Sequence, residues 1–435
     1  MPPPDSVTDH ATAAAVIVGL AERGSIIGDE RVATGSGGTY DHHDPTTGER
    51  QAIVAVGGAA EIDRAVGSAR AALDGWRNMA VHKRIGILTR LADLLLERRA
   101  EAAAINALDN GTPVSVLDSG SYTASWVRYY AGWIDKLEGE VLPVHGGRGL
   151  DYVLHEPYGV VGAIVPWNGP MMGMGQKVAP ALAAGNTVVA KPPEIAPFGA
   201  LRFAELALEA GLPPGVLNVV PGGAEAGEAM LRHPGIDKVS FTGGTATATR
   251  IMEAAAATRK PLALELGGKS ASVIFADADL DAAAPTAAML GSVLLSGQGC
   301  ALGTRLYVQD SVYDEVVDRV LATVATVAVG DPLDPSVLMG PVVTEAACNR
   351  ILGVIEAAVT TGAGRLLTGG QRVQGELAGG YFIPPTIFGD VDQASSLARD
   401  EIFGPVLSIL PFSTEAEVVA KVNDSPFGLS AYVHT

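Results

Sequence analysis

From Tyr158 onward the chain alternates short apolar strands with helical runs, and this alternation narrows the accessible folds more than any other feature. "YGVVGAIVPWN" is an apolar strand that breaks at Pro166, and "GNTVVAKPPE" is a second that ends in proline. "LRFAELALEAGLPPGVLNVVPG" reads as helix, turn and strand, and "KVSFTGGTATATRIMEAAA" as strand, glycine-rich turn and helix. Strands apolar on both faces, each followed by a helix, require a largely parallel sheet covered by helices. In such sheets ligands collect beyond the carboxyl ends of the strands. Another strand and helix pattern begins near Glu265, so a second α/β module is expected there.

Scaffold helices precede this region. "AEIDRAVGSARAALDGW" places Ile62, Val66, Ala69, Leu73 and Trp76 at steps of three and four, which marks one buried face. "HKRIGILTRLADLLLERRAEAAA" repeats the signature through Ile85, Leu88, Ala92 and Leu95. Residues 1–40 are weakly patterned and close in "TGSGG", and a hairpin around "HGGRG" is expected between Lys136 and Leu154. A chain of 435 residues is too long for one core and suggests two or three domains.

The bulk properties exclude several classes of function. No run reaches 18 uninterrupted apolar residues, so no membrane span is expected. "TAAAVIVGL" is short and lacks a basic flank, which argues against a secretory signal. The net charge of -18, with no basic run interleaved with aromatics, argues against nucleic acid as a partner. Two cysteines, Cys300 and Cys348, give neither a disulfide framework nor a metal cluster. Their scarcity fits a reducing, cytoplasmic compartment.

Several residues could carry chemistry, each with a plainer alternative. Cys300 in "SGQGCALGTR" is flanked by small residues that do not shield it, although a lone cysteine is often simply buried. A helix start or an adjacent donor would lower its pKa and expose a thiolate. Glu265 in "LELGGKS" stands between two leucines; a buried carboxylate is either paired or raised in pKa, as a general base requires. Asn168 in "PWNGP" follows a strand end, where its amide could donate to an oxyanion. Lys191 and Glu194 in "KPPE" could hold a ribose or phosphate at another strand end. No complete dinucleotide fingerprint is present. "FTGGTAT" is the nearest: Gly243 and Gly244 allow close backbone approach, and the next helix points free amides at an anion. The alternative is a tight turn.

The order of the whole set is more specific than any member. "DPTTGE", the "IDRAV" helix, "GVVGAIVPWNGP", "APALAAGNTVVAKPPE", "FTGGT", "LELGGKS", "GQGC" and "EIFGPV" follow one another from about Ile26 to the last residue. In this the chain resembles the NAD(P)-dependent aldehyde dehydrogenase family. The resemblance implies a Rossmann-like cofactor domain with a parallel sheet, an α/β catalytic domain and a small β-hairpin arm. It divides the chain into residues 1–137 and 155–264 for the cofactor domain, 138–154 for the arm and 265–435 for the catalytic domain. Cys300 matches the family nucleophile and Glu265 the general base. Asn168, with the Cys300 backbone amide, matches the oxyanion hole. Ile164, Trp167, Lys191, Glu194, Gly243, Gly244, Leu266, Glu401 and Phe403 match cofactor-binding positions. The implied cofactor is NAD, with NADP as the alternative, and the implied partner is a small-molecule aldehyde; no metal is needed. The expected reaction is oxidation of the aldehyde to a carboxylate through a thiohemiacetal and a hydrolysed acyl thioester. A semialdehyde dehydrogenase with a charged substrate, or a non-catalytic member of the fold, are the alternatives. The arm implies a homo-oligomer, dimer or tetramer.

The chain departs from the family pattern in four places. Gly169 stands where an aromatic residue commonly follows the asparagine, which opens a wall near the reacting carbon. Gly244 replaces the usual serine, so a phosphate must rely on backbone amides. Leu295 and Gly299 are atypical upstream of the thiol, and Gly299 could loosen its geometry. The sequence ends at Thr435, where family members continue, and the expectation is an incomplete arm with an unpaired edge. Met171, Met172 and Met174 suggest an adaptable apolar pocket lining, with ordinary helix packing as the alternative.

Overall fold

The computed structural model describes residues 10–435. The chain opens with α1 (His10–Arg23), the short strands β1 (Ser25–Ile27) and β2 (Glu30–Val32), and the ribbon β3 (Thr39–His43) and β4 (Arg50–Ala55). Four helices follow: α2 (Ala59–Arg77), α3 (Val81–Glu97), α4 (Arg99–Asn110) and α5 (Ser119–Ala131). The hairpin β5 (Glu140–Leu142) and β6 (Asp151–Val153) leads into an alternating run. That run is β7 (Val160–Ile164), α6 (Pro170–Ala183), β8 (Thr187–Lys191), α7 (Phe198–Glu209), β9 (Leu217–Val219) and α8 (Ala224–Arg232). It ends in β10 (Lys238–Thr242), α9 (Thr245–Ala256) and β11 (Leu262–Glu265). The second module comprises β12 (Ala271–Ile274), α10 (Leu280–Ala288), β13 (Arg305–Gln309), α11 (Tyr313–Ala325) and α12 (Glu345–Thr361). It closes with β14 (Arg365–Thr368), β15 (Thr386–Gly389), α13 (Ser396–Arg399), β16 (Val406–Phe412), α14 (Glu415–Asn423) and β17 (Ala431–His434).

Two sheets organise these elements. The first runs β11-β10-β7-β8-β9-β1-β2, with its five long-range strands parallel and β1 antiparallel to both neighbours. Strands β7 and β8 are buried along their whole length, as strands covered by helices on both faces must be. From β7 the chain steps to β8 on one side and later to β10 on the other, so the carboxyl end of β7 is a topological switch point. The second sheet runs β14-β15-β16-β13-β12-β17, all parallel except β14. A parallel two-domain architecture of this kind is the expected α/β fold.

The helix stripe read from α2 is the buried one: Ile62, Val66, Ala69, Leu73 and Trp76 all face the core. The run read as one helix after it is two, because Arg98 leaves helical dihedrals (φ -105°, ψ 19°) and turns the chain. Helix α3 buries one face, whereas α4 is buried from Ala102 to Asn110, so a straight continuation would not have covered it. The segment after residue 10 is more ordered than its weak patterning suggests: α1 buries Ala13, Ile17, Leu20 and Ala21 in the first core, packed against β4, α4 and α7. Residues 1–9 lie outside the described part. Among the described residues, one helical stretch, Leu280–Gly297, is long and apolar enough to cross a membrane, and half of it is buried inside the protein. The hairpin forms where expected, pairing Glu140 with Val153 and Leu142 with Asp151, and it presents Val141, Leu150 and Leu154 outward.

Candidate active site

The site lies where the carboxyl ends of the first sheet meet the amino ends of the second. Strand β7 delivers Ile164, Trp167 and Asn168, β8 delivers Lys191, and β10 delivers Gly243 and Gly244. From the other side come Leu266 and Gly267 ahead of β12, Cys300 ahead of β13, and Glu401 and Phe403 ahead of β16. All of these line one cavity of about 350 Å³. Glu265 and Glu194 are not on its wall. Glu194 lines an adjoining cavity of about 650 Å³ that shares Ile164, Lys191, Phe241 and Thr247 with the first. Together they form one trough.

The thiol is delivered by a distorted segment. After α10 the chain passes through a π turn, Met289–Val293, and a tight turn, Leu294–Gly297. Leu295, Ser296 and Gly297 all have positive φ, at 53°, 52° and 72°. For the two non-glycine residues this conformation is costly, about 1–3 kcal/mol each. It is held by the Ser296 hydroxyl, which donates to the Gly340 carbonyl at 2.7 Å, and by the Val343 amide, which donates to Gln298 Oε1 at 3.0 Å. The Asn168 side-chain amide donates to the Gln298 carbonyl at 2.8 Å, which ties the switch point of the first sheet directly to the cysteine segment.

No helix begins at Cys300, which sits half-buried in a turn. Its thiol is pushed up from the ordinary value, first by burial and then by the charges of Glu401 and Glu265; its own amide and that of Ala301 pull the other way. A lowered pKa is therefore not supplied by this resting site. Glu265 also departs from expectation. It is exposed at the end of β11 rather than buried among its leucines, and its backbone carbonyl accepts from Gly243 N–H at 3.1 Å. It remains within electrostatic reach of both Cys300 and Lys177.

The trough suits a dinucleotide. At its middle, α9 begins with Gly244 as N-cap and no side chain covering the first-turn amides. A Cβ on Gly244 would meet nothing within 4 Å, so the approach to those amides is open. Free amides at a helix start attract phosphate. Lys191 is buried and donates to the Gly222 carbonyl at 2.5 Å; burial lowers its pKa to about 8. Toward Cys300, Phe403 adopts a positive φ of 53° and sets its ring edge-on to Trp167, with centroids 5.3 Å apart. Glu401 accepts from the Gly268 amide at 3.0 Å, and its carboxyl is raised chiefly by burial.

Three basic residues escaped the sequence reading. Lys177, on the buried side of α6, lies 3.0 Å from Ser240 Oγ, and burial lowers its pKa to about 8 against the pull of Glu265. Arg350 donates to the Ile402 carbonyl at 2.7 Å, behind Glu401. Lys269 is wholly buried behind the Gly267–Gly268 turn. A lone lysine in the otherwise apolar "GMGQKVAPALAAG" was the available signal for Lys177. The methionines separate: Met171 and Met174 pack in the core, and only Met172 turns toward Gly169, where its methyl fills the space a Cβ would take.

Known proteins similar to this chain identify its family. The model of the aldehyde dehydrogenase family matches residues 32–435. The mitochondrial aldehyde dehydrogenase of Equus caballus is 44% identical over 404 residues, covering 91% of this chain and 80% of that protein. The human mitochondrial enzyme is 44% identical over the same length, covering 91% of this chain and 77% of that protein. Among solved structures, the NAD+ complex of an aldehyde dehydrogenase from Bacillus cereus superposes with a TM-score of 0.92 at 39% identity, covering 98% of this chain and 86% of that one. The mitochondrial relatives overturn the expectation of a cytoplasmic compartment. Scarce cysteine separates reducing from oxidising surroundings and does not distinguish one reducing compartment from another. On the fold, the family match and these likenesses, the chain belongs to the aldehyde dehydrogenase family and is an NAD(P)-dependent enzyme that oxidises aldehydes.

Proposed function

We propose that Cys300 is the nucleophile, Asn168 and the Cys300 amide the oxyanion hole, and Glu265 the general base of an NAD-dependent, hydrolytic aldehyde oxidation. The observation that carries this reading is the Asn168–Gln298 hydrogen bond, which sets the oxyanion donor beside the segment bearing the thiol. The raised thiol loses its proton to solvent before attack, and Glu265, the exposed carboxylate whose charge reaches it, is kept for the hydrolytic half. Cys300 Sγ then bonds to the aldehyde carbon, and the oxygen gains the charge that Asn168 Nδ2 and the backbone amide stabilise. Such donors are worth about 10²–10³ in rate. The bound nicotinamide supplies the acceptor for the hydride that leaves this carbon. Glu265 next takes a proton from water, the hydroxide adds to the acyl carbon, and the thiolate leaves as the carboxylate product forms. The thiol thereby carries the first half of the reaction and the base the second.

Lys191, Glu194 and the start of α9 would hold the adenosine and phosphate portion, and Trp167, Leu266, Glu401 and Phe403 the nicotinamide portion. Glu194 can accept from a free 2′-hydroxyl and opposes a 2′-phosphate, which favours NAD; Arg232 and Arg250 on the same wall keep NADP as the alternative. Met172, set against Gly169 next to Asn168, is an apolar and adaptable neighbour of the oxyanion donor, which favours an uncharged aldehyde over a charged semialdehyde. The outward apolar residues of the hairpin favour a homo-oligomer in which a second copy covers them. Replacing Cys300 with alanine should abolish NADH formation from every aldehyde while leaving NAD binding intact. Residual NADH formation at the wild-type rate would remove Cys300 from the nucleophile's role.

A further inference from the structure

The carbonyl of Ala301, the residue after the thiol, accepts two hydroxyl hydrogen bonds. Ser430 Oγ donates to it at 2.8 Å and the Tyr432 hydroxyl at 2.9 Å. A carbonyl has two lone pairs, so this one is saturated. Ser430 also lies 2.9 Å from Ser270 Oγ. Its single proton is committed to Ala301, so Ser270 donates to Ser430, and a hydroxyl chain runs from the turn after Glu265 to the cysteine segment. Both donors arrive with β17, which pairs in parallel with β12 through Ala271–Ala431 and Ser272–Tyr432. The Tyr432 ring also closes over Gly303, where a Cβ would stand 3.2 Å from it. Beside the same hydroxyl chain, a Cβ on Gly268 would stand 2.7 Å from the Cys300 carbonyl and 3.3 Å from Leu429 Cβ and Ser270 Oγ.

These contacts answer a weakness of the local sequence. Gly299 precedes the thiol, no regular element begins there, and glycine loses more backbone freedom on ordering than any other residue. Upstream, Asn168 pins the Gln298 carbonyl; downstream, Ser430 and Tyr432 pin the Ala301 carbonyl. Cys300 hangs between two fixed peptide planes. We propose that Ser430 and Tyr432 are positioning residues that hold Cys300 in its attacking geometry and offset the freedom of Gly299. This rests on the reading of Cys300 as nucleophile. Neither hydroxyl touches substrate; each acts through the Ala301 peptide.

The test uses Tyr432→Phe, Ser430→Ala and the double variant in the full chain. It reads kcat, KM for NAD, and the pH profile of iodoacetamide alkylation at Cys300, mapped by peptide mass. Each single change should lower kcat about three- to tenfold, the kinetic equivalent of one hydrogen bond. KM for NAD should hold, the alkylation profile should shift, and Ser430→Thr, which keeps the hydroxyl, should restore kcat. Wild-type kcat with an unshifted alkylation profile in the double variant would overturn the proposal. So would a loss that tracks a lowered Tm alone while alkylation stays unchanged. Should the double variant fail to fold, Tyr432→Phe, which deletes one oxygen, decides the matter by the same readouts. An active Cys300→Ala protein would instead remove the nucleophile reading, a result distinguishable from intact alkylation in the clamp variants.

Discussion

Cys300 has small neighbours in sequence, which leaves its thiol open to substrate, and the pull of its own amide and that of Ala301 is outweighed. Burial and the charges of Glu401 and Glu265 all favour the protonated thiol. Alkylation follows the thiolate, so in cofactor-free protein its rate at Cys300 should keep rising with pH beyond the ordinary thiol midpoint of 9.0. A midpoint below that value, read from rates against pH, would contradict the assigned surroundings. At this scale strand ends, paired glycines and a sparse thiol are local features that sequence can display, and the structure brings Asn168, Gly243, Gly244 and Cys300 to one cavity. The sequence reading misjudged Glu265, because flanking leucines report the strand's faces and not where its last side chain emerges. Lys177 was missed because a single charge on an apolar helix gives no sign of what it faces across the sheet.

Elements differ in how openly their sequence declares them. Helix α2 was legible because its apolar residues recur on one stripe. Helix α1 was not, since an alanine- and valine-rich stretch such as "ATAAAVIVGL" is apolar on nearly every side and hides its period. The turn at Leu294–Gly297 was illegible for another reason. Nothing local makes Leu295 and Ser296 adopt positive φ; the distant Gly340 carbonyl and the Val343 amide impose it. Gly297 is the residue there with no substitute. Its φ is +72°, and a Cβ would stand 2.0 Å from the Gly404 carbonyl oxygen. Gly297→Ala should therefore cost about 2–6 kcal/mol, from strain and overpacking together. A drop in the denaturant midpoint measures it, and an unchanged midpoint would contradict the geometry.

For the whole molecule, the trough exists only because the carboxyl ends of one sheet face the amino ends of the other. Asn168, Glu265, Cys300 and Glu401 are far apart in sequence, so spacing alone could not show that they meet; the family resemblance proposed the set and the topology explains three of its members in one cavity. The hairpin carries a prediction at this scale. Val141 is 72% and Leu150 75% exposed, more than a lone ribbon should leave to water. Sedimentation of Val141→Asp/Leu150→Asp should give a single chain where the unaltered protein gives more than one; an unaltered protein already single would contradict the covered arm. The chemistry itself is tested most directly by rapid quenching of Glu265→Gln with NAD and aldehyde. The account predicts one equivalent of NADH in a burst, stalled turnover, and an acyl mass on the peptide bearing Cys300. Repeated turnover at the wild-type rate, or an acyl mass on any other residue, would contradict it.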